Sequence, residues 1–199
     1  MTSTTLRTFI QISFTTIALM SPQICRVFAQ DTSTSPQVQT QSSEDSRRSS
    51  GALIRAVREA TARFKDVHAA EAEGYTLTFG CVTGPDSGAM GLHYVNFQIV
   101  NAGVIDATRP QIILYEPTPD GHLRLTGADY LVVASQWDAK HNSPPELMGQ
   151  LFQFFDAPNR FGLPPFYTLH VWAWKDNPNG AFVNWNPHVH CQSFSAPTN

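Results

Sequence analysis

The sequence predicts an α+β fold in which one N-terminal helix packs on a mainly antiparallel β-sheet or partly closed barrel. One amphipathic segment comes first, short segments with strand-like alternation follow it, and turn-forming residues separate those segments. The order of elements lacks the alternating strand–helix units of a parallel sheet. The chain of 199 residues is long enough for one domain with a sizeable core.

The first 29 residues have the pattern of a secretory signal peptide. Arg7 precedes an apolar stretch over residues 9–20, and residues 27–29 offer a cleavage site. A buried N-terminal helix is the alternative, but the polar residues that follow would give it nothing to pack on. Residues 30–50 have almost no apolar side chains, so we predict a disordered linker and then one globular domain over residues 51–194. The protein is therefore expected to be secreted or periplasmic.

The amphipathic segment at residues 51–73 is the one clear helix. Its apolar side chains recur at spacings of three and four residues, which predicts a single face packed on the sheet. Gly74 follows at the position where a helix end favours a left-handed residue. The apolar stripe consists of Leu53, Val57, Ala60, Phe64, Val67 and Ala70.

Period-two alternation predicts the strands that follow. Residues 119–121, Pro-Asp-Gly, predict the turn of a hairpin. A long irregular connection over residues 136–165 contains at most a short helix at 145–154, and such connections are often binding walls. The predicted strands cover residues 75–79, 92–99, 111–116, 123–125 and 129–134.

The last predicted unit is a strand, a turn and a return strand over residues 166–185. Alternation places His170 on the same face as Trp172 and Trp174, and Asn-Gly at 179–180 predicts the turn before Trp185. The three tryptophans can stack on a sugar, a haem or a hydrophobic ligand, which makes them candidate ligand-binding residues. They are equally suited to core positions.

Charge and hydropathy argue against a nucleic-acid partner and against a membrane span. The net charge is -3 without a long run of either sign, so we expect no nucleic-acid partner, which would need a basic patch. No stretch after residue 30 approaches the roughly 20 apolar residues of a membrane span. We therefore expect no membrane span in the mature chain.

Two cysteines remain after the predicted cleavage, because Cys25 lies before it. In an oxidising compartment, an even pair predicts a disulfide between Cys81 and Cys191. Two thiolate metal ligands are the alternative, which is weaker because neither cysteine has a CxxC partner.

Four titratable residues lie inside apolar strands, where a polar group is costly unless it has a partner. They are His93, Glu116, Asp129 and His170. We predict that the two imidazoles approach each other on one face of the sheet with both carboxylates close by. Such a set suits a divalent transition metal such as Zn, Mn, Fe or Cu. The alternative is structural: the carboxylates end strands or form turns, and each imidazole bonds a backbone carbonyl.

Three other sequence patterns give weaker or no evidence for a functional site. His188 and His190 form an HxH pair, which can bind Cu or Zn, but an HxH pair near a chain end is not selective, so we favour a solvated terminal segment. The glycine-rich loop at residues 83–91 has no helix or Lys-Ser/Thr after it, so it is not a phosphate-binding loop. No GxSxG nucleophile motif is present.

Five segments of the chain carry a likeness to a known family: HAAEAEGYTLTFGCV, GAMGLHYVN, RPQIILYEPTPDGHLRLTGADYLV, PPELMGQLF and LHVWAWKDNPNGAFVNWNPHVHC. They resemble a family of secreted bacterial proteins that has no established activity. The likeness spans about residues 60–191 and implies export and a single domain. The second segment, GAMGLHYVN, is also similar to a Gly-led strand of cupin barrels, but the paired HxH…E motif of cupins is missing nearby.

Two functions follow from these patterns. The first is a secreted domain that binds a ligand, a partner or a metal. The second is a metal-dependent oxidoreductase or hydrolase with a His/carboxylate site. The sequence leaves open whether the protein is an enzyme.

Overall fold

The computed structural model describes residues 36–195, with side chains from residue 41 onward. The predicted signal peptide over residues 1–29, with Cys25, lies outside the described residues. The described residues belong to one compact unit. None of the helices in this part of the chain is both long and apolar enough to cross a bilayer.

The helical region starts earlier than predicted and is interrupted near its middle. Helix α1 spans Pro36–Thr61, a 3-10 turn follows over Ala62–Lys65, and α2 spans Val67–Ala72. The helix thus starts inside the segment predicted as a disordered linker. One contact that holds this extension is the hydrogen bond of 3.1 Å from the Gln150 amide to the Ser50 hydroxyl.

The break between α1 and α2 preserves the predicted apolar stripe. Asp66 starts α2 by accepting a hydrogen bond from the backbone N–H of His68 at 3.0 Å. Leu53, Val57, Phe64 and Ala70, which lie on both sides of the break, are all buried. The amphipathic pattern was therefore correct for the buried face, although the helix is not continuous.

The predicted α+β class is confirmed: the helices accompany a six-stranded, mainly antiparallel sheet that curls into a half-barrel. The strand order is β1-β2-β3-β4-β8-β7, and β5 and β6 form a separate small hairpin. The strands are β1 Thr76–Thr83, β2 Ala89–Val95, β3 Ile112–Pro117, β4 Leu123–Val133, β5 Glu146–Leu147, β6 Gln150–Leu151, β7 Gln153–Phe155 and β8 Phe166–Val171. The remaining helices are α3 Phe97–Ala102 and α4 Ala134–Asp138.

Several predicted boundaries were wrong for local reasons. Strand β2 ends at Val95 because the Asn96 side chain accepts hydrogen bonds from the backbone N–H groups of residues 98 and 99 and starts α3. The segments predicted as separate strands at 123–125 and 129–134 form one long strand, β4. The short helix predicted at 145–154 is instead the β5–β6 hairpin followed by β7.

The predicted hairpin over residues 166–185 does not form. Strand β8 ends at Val171, and its sheet neighbours are β4 and β7. Trp172 donates one backbone hydrogen bond to the carbonyl of Ala181 at 2.9 Å, but residues 181–185 form no strand. The disulfide between Cys81 and Cys191 is confirmed, and it ties this C-terminal segment to β1.

Two glycines allow neighbouring strands of the curled sheet to lie close together. A Cβ atom on Gly91 would lie 2.3 Å from the carbonyl oxygen of Tyr115, and one on Gly127 would lie 2.1 Å from that of Val171. A side chain at either position would push neighbouring strands apart. These contacts join β2 to β3 and β4 to β8, and the residues of the candidate site lie on β2, β4 and β8.

The two faces of the sheet have different partners. Helix α1 packs on one face, where Leu53 and Val57 meet Tyr130 and Val171 in a buried cluster. Because side chains alternate along a strand, Asp129 and His170 lie on the opposite face. The site is therefore on the side of the sheet that α1 does not cover.

Candidate metal centre

Three of the four predicted titratable residues meet on this opposite face. Asp129 on β4 and His170 on β8 are direct partners in the antiparallel register. His93 arrives from β2, and its ring centroid lies 5.8 Å from that of His170. The predicted approach of the two imidazoles is confirmed. All three side chains are buried, with exposed fractions of 2–4%.

The backbone fixes the tautomer of His93. Its Nδ1 lies 3.1 Å from the carbonyl oxygen of Gly91. A carbonyl only accepts hydrogen bonds, so Nδ1 carries the proton and Nε2 keeps its lone pair. This is the arrangement in which metal-binding histidines are usually held.

A neighbouring hydroxyl orients the carboxylate of Asp129. Thr168 donates a hydrogen bond of 2.5 Å to Oδ1 of Asp129, which leaves Oδ2 facing His170. Burial raises the pKa of Asp129 to about 6, against the lowering effect of that hydrogen bond. At neutral pH the residue is still ionised and supplies a negative charge.

His170 has no hydrogen-bond partner at either ring nitrogen, although both nitrogens are buried. Its Nδ1 lies 3.3 Å from Oδ2 of Asp129, within the distance of an ion pair but without the alignment of a hydrogen bond. Burial lowers the pKa of His170 to about 3 and that of His93 to about 4. Both rings are therefore neutral at physiological pH, the form that binds metals.

The spacing of these atoms suits a metal ion. One ligand atom from each of the three residues lies within 4.8 Å of the others. Tetrahedral ligands about 2.1 Å from a zinc ion lie roughly 3.4 Å apart, which is close to the 3.3 Å between Nδ1 of His170 and Oδ2 of Asp129. The widest pair would need to contract by at most roughly 1.4 Å to reach that spacing. The three residues can thus hold a metal ion.

A small cavity with apolar walls adjoins the three residues. Its volume is about 20 Å³, enough for one ion or one water molecule but not for an organic ligand. Such walls exclude water and strengthen electrostatic interactions inside. The apolar walls are formed largely by Phe79, Met90, Phe155, Phe161, Leu163 and Phe166.

Glu116 does not join this cluster, so that part of the predicted ligand set is wrong. Both of its carboxylate oxygens accept hydrogen bonds from the Lys175 ammonium group, at 2.6 and 2.8 Å. Arg124 lies 3.9 Å from the same carboxylate. The ion pair accounts for the burial of Glu116 without a metal.

The three tryptophans do not line the cavity. Trp172 is buried and donates from its indole to the carbonyl of Val183 at 2.6 Å. The Trp174 indole donates a hydrogen bond to the Thr61 hydroxyl at 2.9 Å. Strand β8 ends at Val171, so the predicted alternation does not extend to this residue. Trp185 is half-buried.

The alternative metal ligands considered from the sequence are not in the cluster. His188 and His190 are exposed. Cys81 and Cys191 are consumed by their disulfide. The thiolate alternative is therefore wrong for the structure described.

Sequence reasoning missed two polar residues at the cavity. Thr168 precedes His170 by two residues and shares its face, so strand alternation would have indicated it. Asn184 also lines the cavity, and its Oδ1 is buried without a hydrogen-bond partner. It lies in an irregular segment, where no periodic pattern assigns a side chain to a face.

Comparison of the chain with protein-family models, with curated proteins and with solved structures finds no match.

Proposed function

We propose that this protein is an exported domain that binds one divalent transition-metal ion through His93, Asp129 and His170. The observation that carries the proposal is the state of His170. Two buried ring nitrogens without partners cost on the order of 1–3 kcal/mol, since the desolvation of polar groups is not compensated. A metal ion at Nδ1, shared with the adjacent carboxylate, would offset that cost.

The ligand types narrow the choice of metal. Two neutral imidazoles and one carboxylate suit zinc, iron, manganese and other divalent first-row ions, whereas soft thiolate ligands would select Cu(I). The ionised carboxylate would offset one of the two charges of the ion. Three protein ligands leave a further coordination position on the ion.

The metal-binding proposal is tested by titrating chelator-treated protein with Zn²⁺ or Co²⁺. The wild type should bind one equivalent, and His93→Ala, His170→Ala and Asp129→Asn should each lose most of that affinity. The double variant His188→Ala/His190→Ala is the matched control, because it removes two imidazoles that are exposed. Loss of binding in the control alone, or no binding by the wild type, would refute the proposal.

A metal-dependent oxidoreductase or hydrolase is the second candidate, and one observation favours it. A second, mainly apolar cavity of about 180 Å³ lies beside the first and shares five wall residues with it. Its size is comparable to cavities that bind benzene. A small apolar substrate could therefore sit close to the ion. The shared residues are Phe79, Ile112, Leu131, Leu163 and Phe166.

Export is part of the proposal and has its own support. A disulfide that joins residues 81 and 191 is typical of proteins from oxidising compartments. The resemblance to a family of secreted bacterial proteins points the same way. N-terminal sequencing of protein recovered from the periplasm or medium should start near residue 30, and a start at Met1 would contradict export with cleavage.

A further inference from the structure

Among the described side chains, the buried polar atoms without a hydrogen bond lie around one cavity. In the part of the chain whose side chains are described, the buried side-chain nitrogen and oxygen atoms without a hydrogen bond are Nδ1 and Nε2 of His170 and Oδ1 of Asn184. All three belong to residues that line the cavity at the proposed metal centre. Buried polar groups are normally paired, so such a concentration calls for a common explanation.

The chemistry of these atoms is complementary. When an ion occupies Nδ1 of His170, the ring proton must sit on Nε2, which then needs an acceptor. Oδ1 of Asn184 is an acceptor without a donor. A metal ion bound to Nδ1 of His170 would therefore place a proton on Nε2, and that N–H could donate a hydrogen bond to Oδ1 of Asn184.

The side chain of Asn184 is anchored through its amide nitrogen, while its oxygen is buried and the residue lines the cavity. Its Nδ2 donates a hydrogen bond of 2.9 Å to Oε1 of Gln153, at the surface on the edge strand β7. The residue itself is 7% exposed. The backbone nearby is anchored by the bridge between Ala89 and Asn186 and by the disulfide at Cys191.

We infer that Asn184 is a positioning residue of the metal centre, which accepts a hydrogen bond from Nε2–H of His170 when the ion is bound at Nδ1. This inference rests on the proposed metal binding. In the structure the two groups are not yet hydrogen-bonded. The same contraction that brings the ligand atoms to an ion would move the His170 ring, and the new hydrogen bond would form with that movement.

Gln153 supports the same arrangement through its hydrogen bond to Asn184. A metal-binding histidine almost always donates its second ring N–H to an acceptor, and removal of that acceptor usually weakens metal binding by about 10- to 100-fold. Gln153 contacts neither the ion nor His170 in this scheme. It fixes the orientation of the Asn184 amide and thereby keeps oxygen, rather than the NH₂ group, toward the ring.

The variant test compares the Zn²⁺ affinities of variants of the chain from residue 30 onward. Asn184→Leu removes the acceptor and should weaken Zn²⁺ binding by about 10- to 100-fold, whereas Asn184→Asp keeps an acceptor and should bind at least as tightly as the wild type. Gln153→Met removes the amide's anchor at the surface and should weaken binding less than Asn184→Leu. Gln153→Glu, which keeps an acceptor for Nδ2, is its matched control and should retain wild-type affinity.

The decisive readout needs no substitution. Nitrogen-15 NMR of the Zn²⁺-loaded wild type should show His170 protonated at Nε2, with Zn²⁺ at Nδ1 and a ring N–H that exchanges slowly with solvent. A wild type that binds no Zn²⁺ would refute the metal proposal itself. Binding by the wild type with the proton on Nδ1 of His170, or unchanged affinity in a folded Asn184→Leu variant, would overturn the role of Asn184 and leave the metal proposal intact.

Discussion

Replacement of His170 by leucine should stabilise the metal-free protein while it abolishes metal binding. The ring is 2% exposed and neither nitrogen has a hydrogen bond, so the folded metal-free state carries an uncompensated desolvation cost. Such a cost is about 1–3 kcal/mol. Leucine has a similar volume and no polar atoms, so the variant should gain roughly that amount in the free energy of unfolding. For a chain of this size, the midpoint temperature should rise by roughly 2–12 °C.

His93→Leu is the matched control for this prediction. His93 lies in the same cluster, but its Nδ1 already donates to the carbonyl of Gly91. The substitution removes that hydrogen bond, so no stabilisation is expected.

The measurement is urea unfolding of wild type and both variants in the presence of a chelator, at pH 7. A metal-free His170→Leu protein that is less stable than the wild type by about 1 kcal/mol or more would refute the reasoning, since such a loss belongs to a satisfied core residue. Equal stabilisation of both variants would also refute it, because the cost would then not lie in the missing hydrogen bonds.

Two further predictions concern the metal-free protein. Acidification from pH 6 to 4 should lower its stability by about 1.4 kcal/mol per pH unit: the unfolded chain binds a proton on each imidazole near its ordinary pKa, while burial holds the folded pKa values of His93 and His170 at about 4 and 3. Asp129, with its pKa raised to about 6, holds a proton in the folded state below that pH and offsets one of the two imidazoles, so about one net proton is taken up on unfolding. Urea unfolding at several pH values should show this slope. A free energy of unfolding that stays constant or rises on acidification would contradict the burial of the cluster. Cys191→Ser should cost about 4–5 kcal/mol, because the disulfide closes a loop of 110 residues to Cys81, and a loss below about 1 kcal/mol would show that the loop is restrained by other contacts.

The sequence predicted those features that depend on local periodicity. Alternation placed His93 and His170 inside apolar strands, and their burial and proximity followed once the strands paired. The helical stripe identified Leu53 and Val57 as core residues. Period and polarity were sufficient here because each residue's environment is set by its own strand or helix.

The remaining features depend on contacts between distant segments. Glu116 has the same strand-like context as Asp129, but Lys175, 59 residues later, pairs with it. Asn184 reaches the cavity through an irregular segment. Helix α1 begins at residue 36 rather than at the predicted residue 51, which is 15 residues earlier. The added stretch has little apolar character of its own. Local patterns contain no information about such partners.

Anomalous diffraction from a crystal of the Co²⁺-loaded protein would test the central claim most directly. We predict one strong peak in the cavity, about 2.0–2.2 Å from Nε2 of His93, Nδ1 of His170 and Oδ2 of Asp129. A cavity without a peak, or a peak at His188 and His190 instead, would contradict the assignment of a metal centre to this cluster.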